Sequence, residues 1–266
     1  MRRFNTGLLG LMLATSASIS APAFAASPVD GIWKIDTATA KLSTKPDVVT
    51  IKDGTYSCTS CTPPYTVAAD GKPHPVADRE YWDAASVAVI DASTVEVSRY
   101  RKGTLIGTSK VAVSADGNML TYTSTSADNA IGKSTSSTSM SKRVGPAPVG
   151  SHATSGSWQA VNDGAQVAEE ILTATISMKD DMVTMTLGTG EHYTAKLGGP
   201  QVPFVGDKAG AKVALTKSGT GFVETDYVGG KAIGTYTYLP VDATTMTFKA
   251  TNLKAGTTDE FTLKKQ

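Results

Sequence analysis

Both cysteines of the chain lie in one short segment, Cys58-Thr-Ser-Cys61, and His74 follows shortly after. A Cys-x-x-Cys pair can form a redox centre, part of a metal site, or a local disulfide. Redox activation needs a helix N-terminus that lowers the thiol pKa, but Thr-Pro-Pro follows Cys61 and favours an extended or turning segment. In an oxidising compartment a Cys58–Cys61 disulfide is the expected outcome. A metal site with His74 and a redox role are the alternatives.

Two segments combine aromatic rings with arginines: ADREYWD at residues 77–83 and RYRKG at residues 99–103. Small-molecule sites join apolar walls to a few polar groups, and Trp and Tyr supply large apolar areas. These segments therefore predict a binding mouth in which the rings give apolar contact and an arginine fixes an anionic end. Its candidate residues are Arg79, Tyr81, Trp82 and Arg99. The alternative is a hairpin tip with solvated arginines, in which Trp82 packs in the core or between domains.

No arrangement of titratable residues predicts catalysis. The histidines, His74, His152 and His192, are not at metal-ligand spacing, and the sequence contains no Gly-x-Ser-x-Gly. Carboxylates such as Glu224 and Asp226 are scattered, so they indicate no general acid–base pair. We predict no catalytic residue, no metal and no cofactor. An enzyme is therefore the last of three hypotheses for the function, after a ligand-binding protein and a structural or interaction module.

The N-terminal residues predict export. Arg2 and Arg3 precede an apolar run, and Ala23-Phe24-Ala25 is the small-x-small pattern that a signal peptidase accepts. We expect residues 1–25 to be removed and the mature protein to be periplasmic or secreted, with no transmembrane segment. Loss of the two arginines changes the formal charge from +1 to about −1. Without a positive excess, nucleic acid is not an expected partner.

The sequence contains an internal repeat. Motifs recur in the same order at an offset near ~125 residues: GIWK and GSWQ, IGT and IGT, and LTY and MTF. The segment at residues 145–155 is rich in Pro and Gly and predicts a linker. We therefore expect two domains, at residues 26–144 and 156–266.

Each copy predicts an antiparallel meander. Thr, Ser, Ala, Gly and Val dominate the composition, which favours strands and turns over long helices. Turn signals such as Lys52-Asp53-Gly54 and Arg101-Lys102-Gly103 separate short strands. We predict an all-β fold of two tandem barrels with about eight strands each, because closure removes aggregation-prone edges. Only residues 167–172 suggest a helix.

Each copy opens with Gly-x-Trp, continues as a meander and carries basic residues in its last strand. This pattern resembles the calycin superfamily, which comprises lipocalins and fatty-acid-binding-like proteins. In that superfamily the tryptophan plugs one barrel end, and a cation from the last strand lies across its ring. The resemblance implies plugs that pair Trp33 with Lys142 or Arg143, and Trp158 with Lys264 or Lys265. DGKPHPV, with VSADGNMLTYT, also looks like a set of secreted bacterial proteins of unknown function.

Together these patterns predict a non-enzymatic exported barrel protein that binds a small apolar or amphipathic ligand, mainly in the first copy. The alternative is a structural or protein-interaction module of the cell envelope, such as an inhibitor-like barrel with no ligand cavity. A cavity inside the first barrel would favour the binding hypothesis.

Overall fold

The computed structural model describes residues 27–266, so the predicted leader at residues 1–25 lies outside the described residues. The first ten strands are β1 (Gly31–Lys41), β2 (Asp47–Lys52), β3 (Thr55–Cys58), β4 (Tyr65–Ala68), β5 (His74–Pro75), β6 (Ala84–Val89), β7 (Thr94–Arg101), β8 (Thr104–Val113), β9 (Met119–Ser126) and β10 (Thr135–Gly145). The remaining elements are β11 (Gly156–Val167), α1 (Glu169–Leu172), β12 (Thr173–Lys179), β13 (Met182–Leu187), β14 (His192–Lys196), β15 (Val202–Pro203), β16 (Lys212–Ser218), β17 (Gly221–Val228), β18 (Lys231–Pro240), β19 (Thr245–Asn252) and β20 (Thr257–Lys265).

Two hairpin turns show why the strands end where the sequence predicts. Asp53 and Gly54 join β2 to β3 with φ of 50° and 71°, and Lys102 and Gly103 join β7 to β8 with φ of 50° and 80°. Two successive residues with positive φ form the turn whose twist matches that of the flanking strands. Glycine takes the second position of each turn because it adopts positive φ without steric cost.

The strands form two antiparallel sheets of ten strands each, in the same order. One sheet, here called the first barrel, runs β4-β3-β2-β11-β10-β9-β8-β7-β6-β5, and the second barrel runs β14-β13-β12-β1-β20-β19-β18-β17-β16-β15. Each is nearly closed: the amide of Gly71 donates to Val87 O at 2.8 Å, and that of Gly198 donates to Leu215 O at 2.7 Å.

The all-β prediction of two barrel-like antiparallel sheets is confirmed, whereas the predicted count of about eight strands is wrong. Each sheet contains ten strands. Short strands such as β5 and β15, of two residues each, carry no alternation that a sequence pattern could show.

The first strand of each sequence copy lies in the barrel of the other copy. β1 pairs with β12 and β20, and β11 pairs with β2 and β10. The barrels therefore differ from the predicted segments 26–144 and 156–266 by the exchange of one strand. Because β10 and β11 are neighbours in one sheet, residues 146–155 form a hairpin connection within the first barrel rather than an interdomain linker. The two Gly-x-Trp strands are too alike for the sequence to assign each to its sheet.

Each barrel has its own hydrophobic core. Trp158 packs with Val87 and Leu120 in the first barrel, and Trp33 packs with Tyr193 and Phe222 in the second. Both tryptophans are fully buried. The two cores place a large indole at corresponding positions, which agrees with a duplicated fold.

Within residues 27–266 the single helix is α1, whose four residues fall inside the segment that suggested a helix in the sequence. It carries the chain from β11 in the first barrel to β12 in the second. No helix in this described part of the chain has the length and apolar character needed to cross a bilayer.

Candidate functional site

The first barrel contains a cavity of about 270 Å³. Its apolar wall includes Trp82, Val97 and Ile106, and Arg99 is the cation among its lining residues. This volume lies just below the roughly 300–1,000 Å³ of common ligand pockets, so the space suits a small molecule only. Three of the four predicted ligand-binding residues, Tyr81, Trp82 and Arg99, thus line the same cavity, and Arg79 does not.

A band of hydroxyl groups forms another side of this cavity. It includes Ser109 and Ser124, whose Oγ atoms lie 2.8 Å apart, together with Thr108 and Thr125. Hydroxyl groups can both donate and accept hydrogen bonds, so they can contact polar parts of a bound molecule. The cavity therefore combines an aromatic wall, one cation, a neutral polar band and the carboxyl group of Asp128, which forms an ion pair with Arg101.

The two predicted arginines and Tyr65 form a single cluster around the Trp82 ring. The guanidinium carbon of Arg79 lies 5.0 Å from the Tyr65 centroid and 5.1 Å from the Trp82 centroid. The guanidinium carbon of Arg99 lies 5.6 Å from the Trp82 centroid. Tyr65 and Trp82 meet edge to face, with centroids 5.5 Å apart. The structure thus brings Arg99 of the second predicted segment beside Trp82, which also contacts Arg79 of its own segment.

The two arginines of this cluster have different surroundings. Arg79 donates to Thr62 O at 2.7 Å and to Pro63 O, so it is held by the loop that follows Cys61. Arg99 is exposed, and no ion pair within residues 27–266 involves it. Arg79 therefore serves to position the loop, while Arg99 is the arginine able to meet an anion.

Tyr81 lies where the two barrels meet. Besides the first cavity, it lines a groove with Tyr236 of β18, and its neighbour Glu80 forms an ion pair with Lys254 of the second barrel. Burial raises the pKa of the Tyr81 phenol, with further contributions from the charges of Asp207 and Asp226. Tyr81 is therefore part of the contact between the barrels as well as of the predicted mouth.

The second barrel contains a cavity of about 220 Å³ that the sequence did not predict. Glu224 and Asp226 of β17 both line it. Residues two apart in a strand face the same side of the sheet, and this spacing was the signal that could have revealed the pair. In the sequence these carboxylates are scattered, because the interior face of β17 is defined only by the closed barrel.

The predicted plug residues do form tryptophan–cation pairs, but each cation lies against the tryptophan of the other predicted pair. The guanidinium carbon of Arg143 lies 4.0 Å from the Trp158 ring centroid, and Lys265 Nζ lies 5.5 Å from that of Trp33. The expectation that each tryptophan pairs with the last strand of its own copy is wrong, because β1 and β11 are exchanged between the barrels. The indole nitrogens donate to Val29 O at 2.8 Å and Thr154 O at 3.0 Å.

The cysteines form the predicted local disulfide. Cys58 and Cys61 are bonded, with Cα atoms 5.4 Å apart. His74, the metal ligand considered as an alternative, instead places Nε2 2.8 Å from Asp70 Oδ1. Among residues 27–266, no group of three or more His, Cys, Asp or Glu side chains could hold a metal ion.

Comparisons of this sequence with models of protein families, with curated proteins and with solved structures gave no match. The calycin-like relationship stays a prediction that rests on the Gly-x-Trp strands, the meander and the terminal cations.

Proposed function

We propose that this protein binds a small amphipathic ligand with an anionic end in the cavity of the first barrel. The proposal rests chiefly on Arg99, an exposed cation without an ion-pair partner among the described residues, beside the Trp82 ring in a cavity of about 270 Å³. The anion of the ligand would meet Arg99, and its apolar body would lie against Trp82, Val97 and Ile106.

A purely structural or protein-interaction module is the alternative function. A barrel with only that role can fill its interior with side chains, as small closed barrels do. The space in the first barrel therefore favours ligand binding over this alternative. Export to the periplasm or the medium is a separate proposal, and it depends on residues 1–25.

The test is a titration of the full chain with 3-phenylpropanoate, followed through Trp fluorescence and calorimetry. Arg99→Gln removes the cation and should weaken binding about fivefold to tenfold, a loss of about 1 to 1.4 kcal/mol. Lys110→Gln is the matched control. Lys110 is exposed on β8, so this substitution removes the same charge at a position outside the cavity. Failure of the wild-type chain to bind, or equal affinity in the Arg99→Gln variant, would overturn the proposal.

A further inference from the structure

The cavity of the second barrel has a different chemical character from that of the first. Aromatic and aliphatic side chains form most of its wall, among them Trp33, Phe204, Tyr236, Tyr238 and Phe248. Ile171 of α1, which is 42 % exposed, also lines the cavity and marks a route to solvent. No Lys, Arg or His is among its described lining residues.

Two carboxyl groups face this apolar space. Glu224 is 3 % exposed and Asp226 is 5 % exposed. Tyr193 Oη donates to Glu224 Oε2 at 2.6 Å, whereas Asp226 Oδ1 is buried without a hydrogen-bond partner. A buried carboxyl oxygen without a partner costs free energy, so a ligand that donates to it would remove that cost.

The local charges also favour a cation. Burial raises the pKa of Glu224 well above its usual value, and the charge of Asp226 adds to the effect. Burial likewise raises the pKa of Asp226; a hydrogen bond with Glu224 opposes this rise, and the charge of Asp207 adds to it. None of the groups that influence either carboxyl is basic. Asp226, whose pKa is raised to about 6, is ionised at pH 7.5, and no basic side chain lines the cavity to balance that charge.

The fold itself does not need acids at these positions. Asp226 pairs with Gly234, and Arg99 pairs with Gly107, the glycines of the two Ile-Gly-Thr motifs. The same register places Val97 of the first barrel at the position of Glu224. One barrel thus forms with a valine and an arginine where the other has two carboxyls, which argues against a purely structural role for the pair.

We propose that the cavity of the second barrel binds a small organic cation, an amine with an apolar body, through Asp226 and Glu224. The ammonium group would donate to Asp226 Oδ1, and the apolar body would pack against Tyr236 and Phe248. Ca²⁺ fits less well because it takes six to eight oxygen ligands, while this wall is mainly aromatic. The site shares the lining residue Ile171 with the first-barrel site, but its carboxyl and aromatic residues are its own, and its test does not depend on that site.

The experiment uses the full chain and 2-phenylethylamine, with 2-phenylethanol as the neutral analogue, in calorimetry at pH 7.5. The amine should bind at least about tenfold more tightly than the alcohol. Asp226→Asn should remove that preference while leaving the affinity for the alcohol within about twofold. Asp181→Asn is the control, because Asp181 is exposed in the turn between β12 and β13.

A pH series on the wild-type chain tests the same proposal without a variant. The amine affinity should rise between pH 5 and pH 8, because Asp226 ionises in this range. The other titratable groups that influence this carboxyl or its partner are Tyr81, Tyr193, Tyr236, Tyr238, Asp207 and Glu224. Equal binding of amine and alcohol, absence of amine binding, displacement of the amine by Ca²⁺, or an affinity independent of pH would overturn the proposal.

Discussion

Arg99 of β7 and Asp226 of β17 occupy the same position in the two barrels and carry opposite charges. In both sheets the register shifts at the next residue, between Arg99 and Tyr100 and between Asp226 and Tyr227. A β-bulge changes the direction of the strand and of its side chains, and bulges are common beside binding sites. The two copies have thus kept this backbone irregularity and differ in the charge that it presents to each cavity.

The first prediction concerns the dependence of stability on pH. Burial raises the pKa of Asp226 from 3.8 to about 6, so between these values the folded state binds more protons than the unfolded state. Stability therefore falls as pH rises through this range, by up to about 3 kcal/mol. Asp226→Asn should increase the free energy of unfolding at pH 8 and leave it nearly unchanged at pH 4, as measured by urea denaturation.

Asp181→Asn is the control for this comparison, since it removes a carboxylate that is already solvated. It should change the free energy of unfolding by less than about 0.5 kcal/mol at either pH. A variant Asp226→Asn that is less stable than wild type at pH 8 would show that the ionised carboxylate stabilises the barrel.

The second prediction concerns the disulfide. Cys58 and Cys61 close a very short loop, for which the loop-entropy relation gives about 2 kcal/mol. The double substitution Cys58→Ser with Cys61→Ser should lower the free energy of unfolding by about that amount and leave the chain folded. In the second barrel the corresponding position is Met185, which pairs with Tyr193 as Cys58 pairs with Tyr65. Loss of the folded state on reduction would contradict this expectation.

The third prediction compares the two plugs. Arg143 is half-buried and donates to Gly117 O at 2.6 Å, Ser155 O at 2.7 Å and Ala153 O at 2.9 Å, whereas Lys265 is exposed. Arg143→Met should therefore cost about 2 to 3 kcal/mol and Lys265→Met about 0.5 to 1 kcal/mol. Thermal and urea unfolding measure both variants. Equal costs would mean that the hydrogen bonds of Arg143 contribute little beyond its contact with Trp158.

The fourth prediction tests the strand exchange. Lys34 of β1 pairs with Lys264 of β20, while Gln159 of β11 takes the corresponding place opposite Lys142. In a background without the native cysteines, Lys34→Cys with Lys264→Cys should form an intramolecular cross-link on oxidation. Lys34→Cys with Lys142→Cys is the matched control and should not. The reverse result, read by mass spectrometry after proteolysis, would show that each copy keeps its own first strand.

Much of this fold could be predicted from local signals. Turn residues such as Lys102-Gly103, with positive φ, marked the hairpins, and the repeated Gly-x-Trp marked two equivalent cores. The exchange of β1 and β11 could not be predicted, because either strand satisfies the hydrogen bonds and the core of either barrel. Strand pairing between distant segments depends on the whole topology, which a local pattern does not contain.

The candidate sites were predicted less completely, for a related reason. Arg79, Trp82 and Arg99 were found because aromatic and basic residues cluster along the sequence. Glu224 and Asp226 were not found because their significance depends on burial, which only the closed barrel creates. Two carboxyl groups two residues apart indicate a candidate site only when the strand face that carries both is known to point into the barrel.

The most direct test of two cavities with opposite charge preference uses the indole N–H resonances of the full chain. Trp82 lines the first cavity, Trp33 lines the second, and Trp158 lies in the core of the first barrel. In ¹H–¹⁵N spectra, 3-phenylpropanoate should shift the Trp82 resonance and 2-phenylethylamine should shift that of Trp33, each without the other. Movement of the same resonance by both probes, or of neither by any probe, would contradict the account.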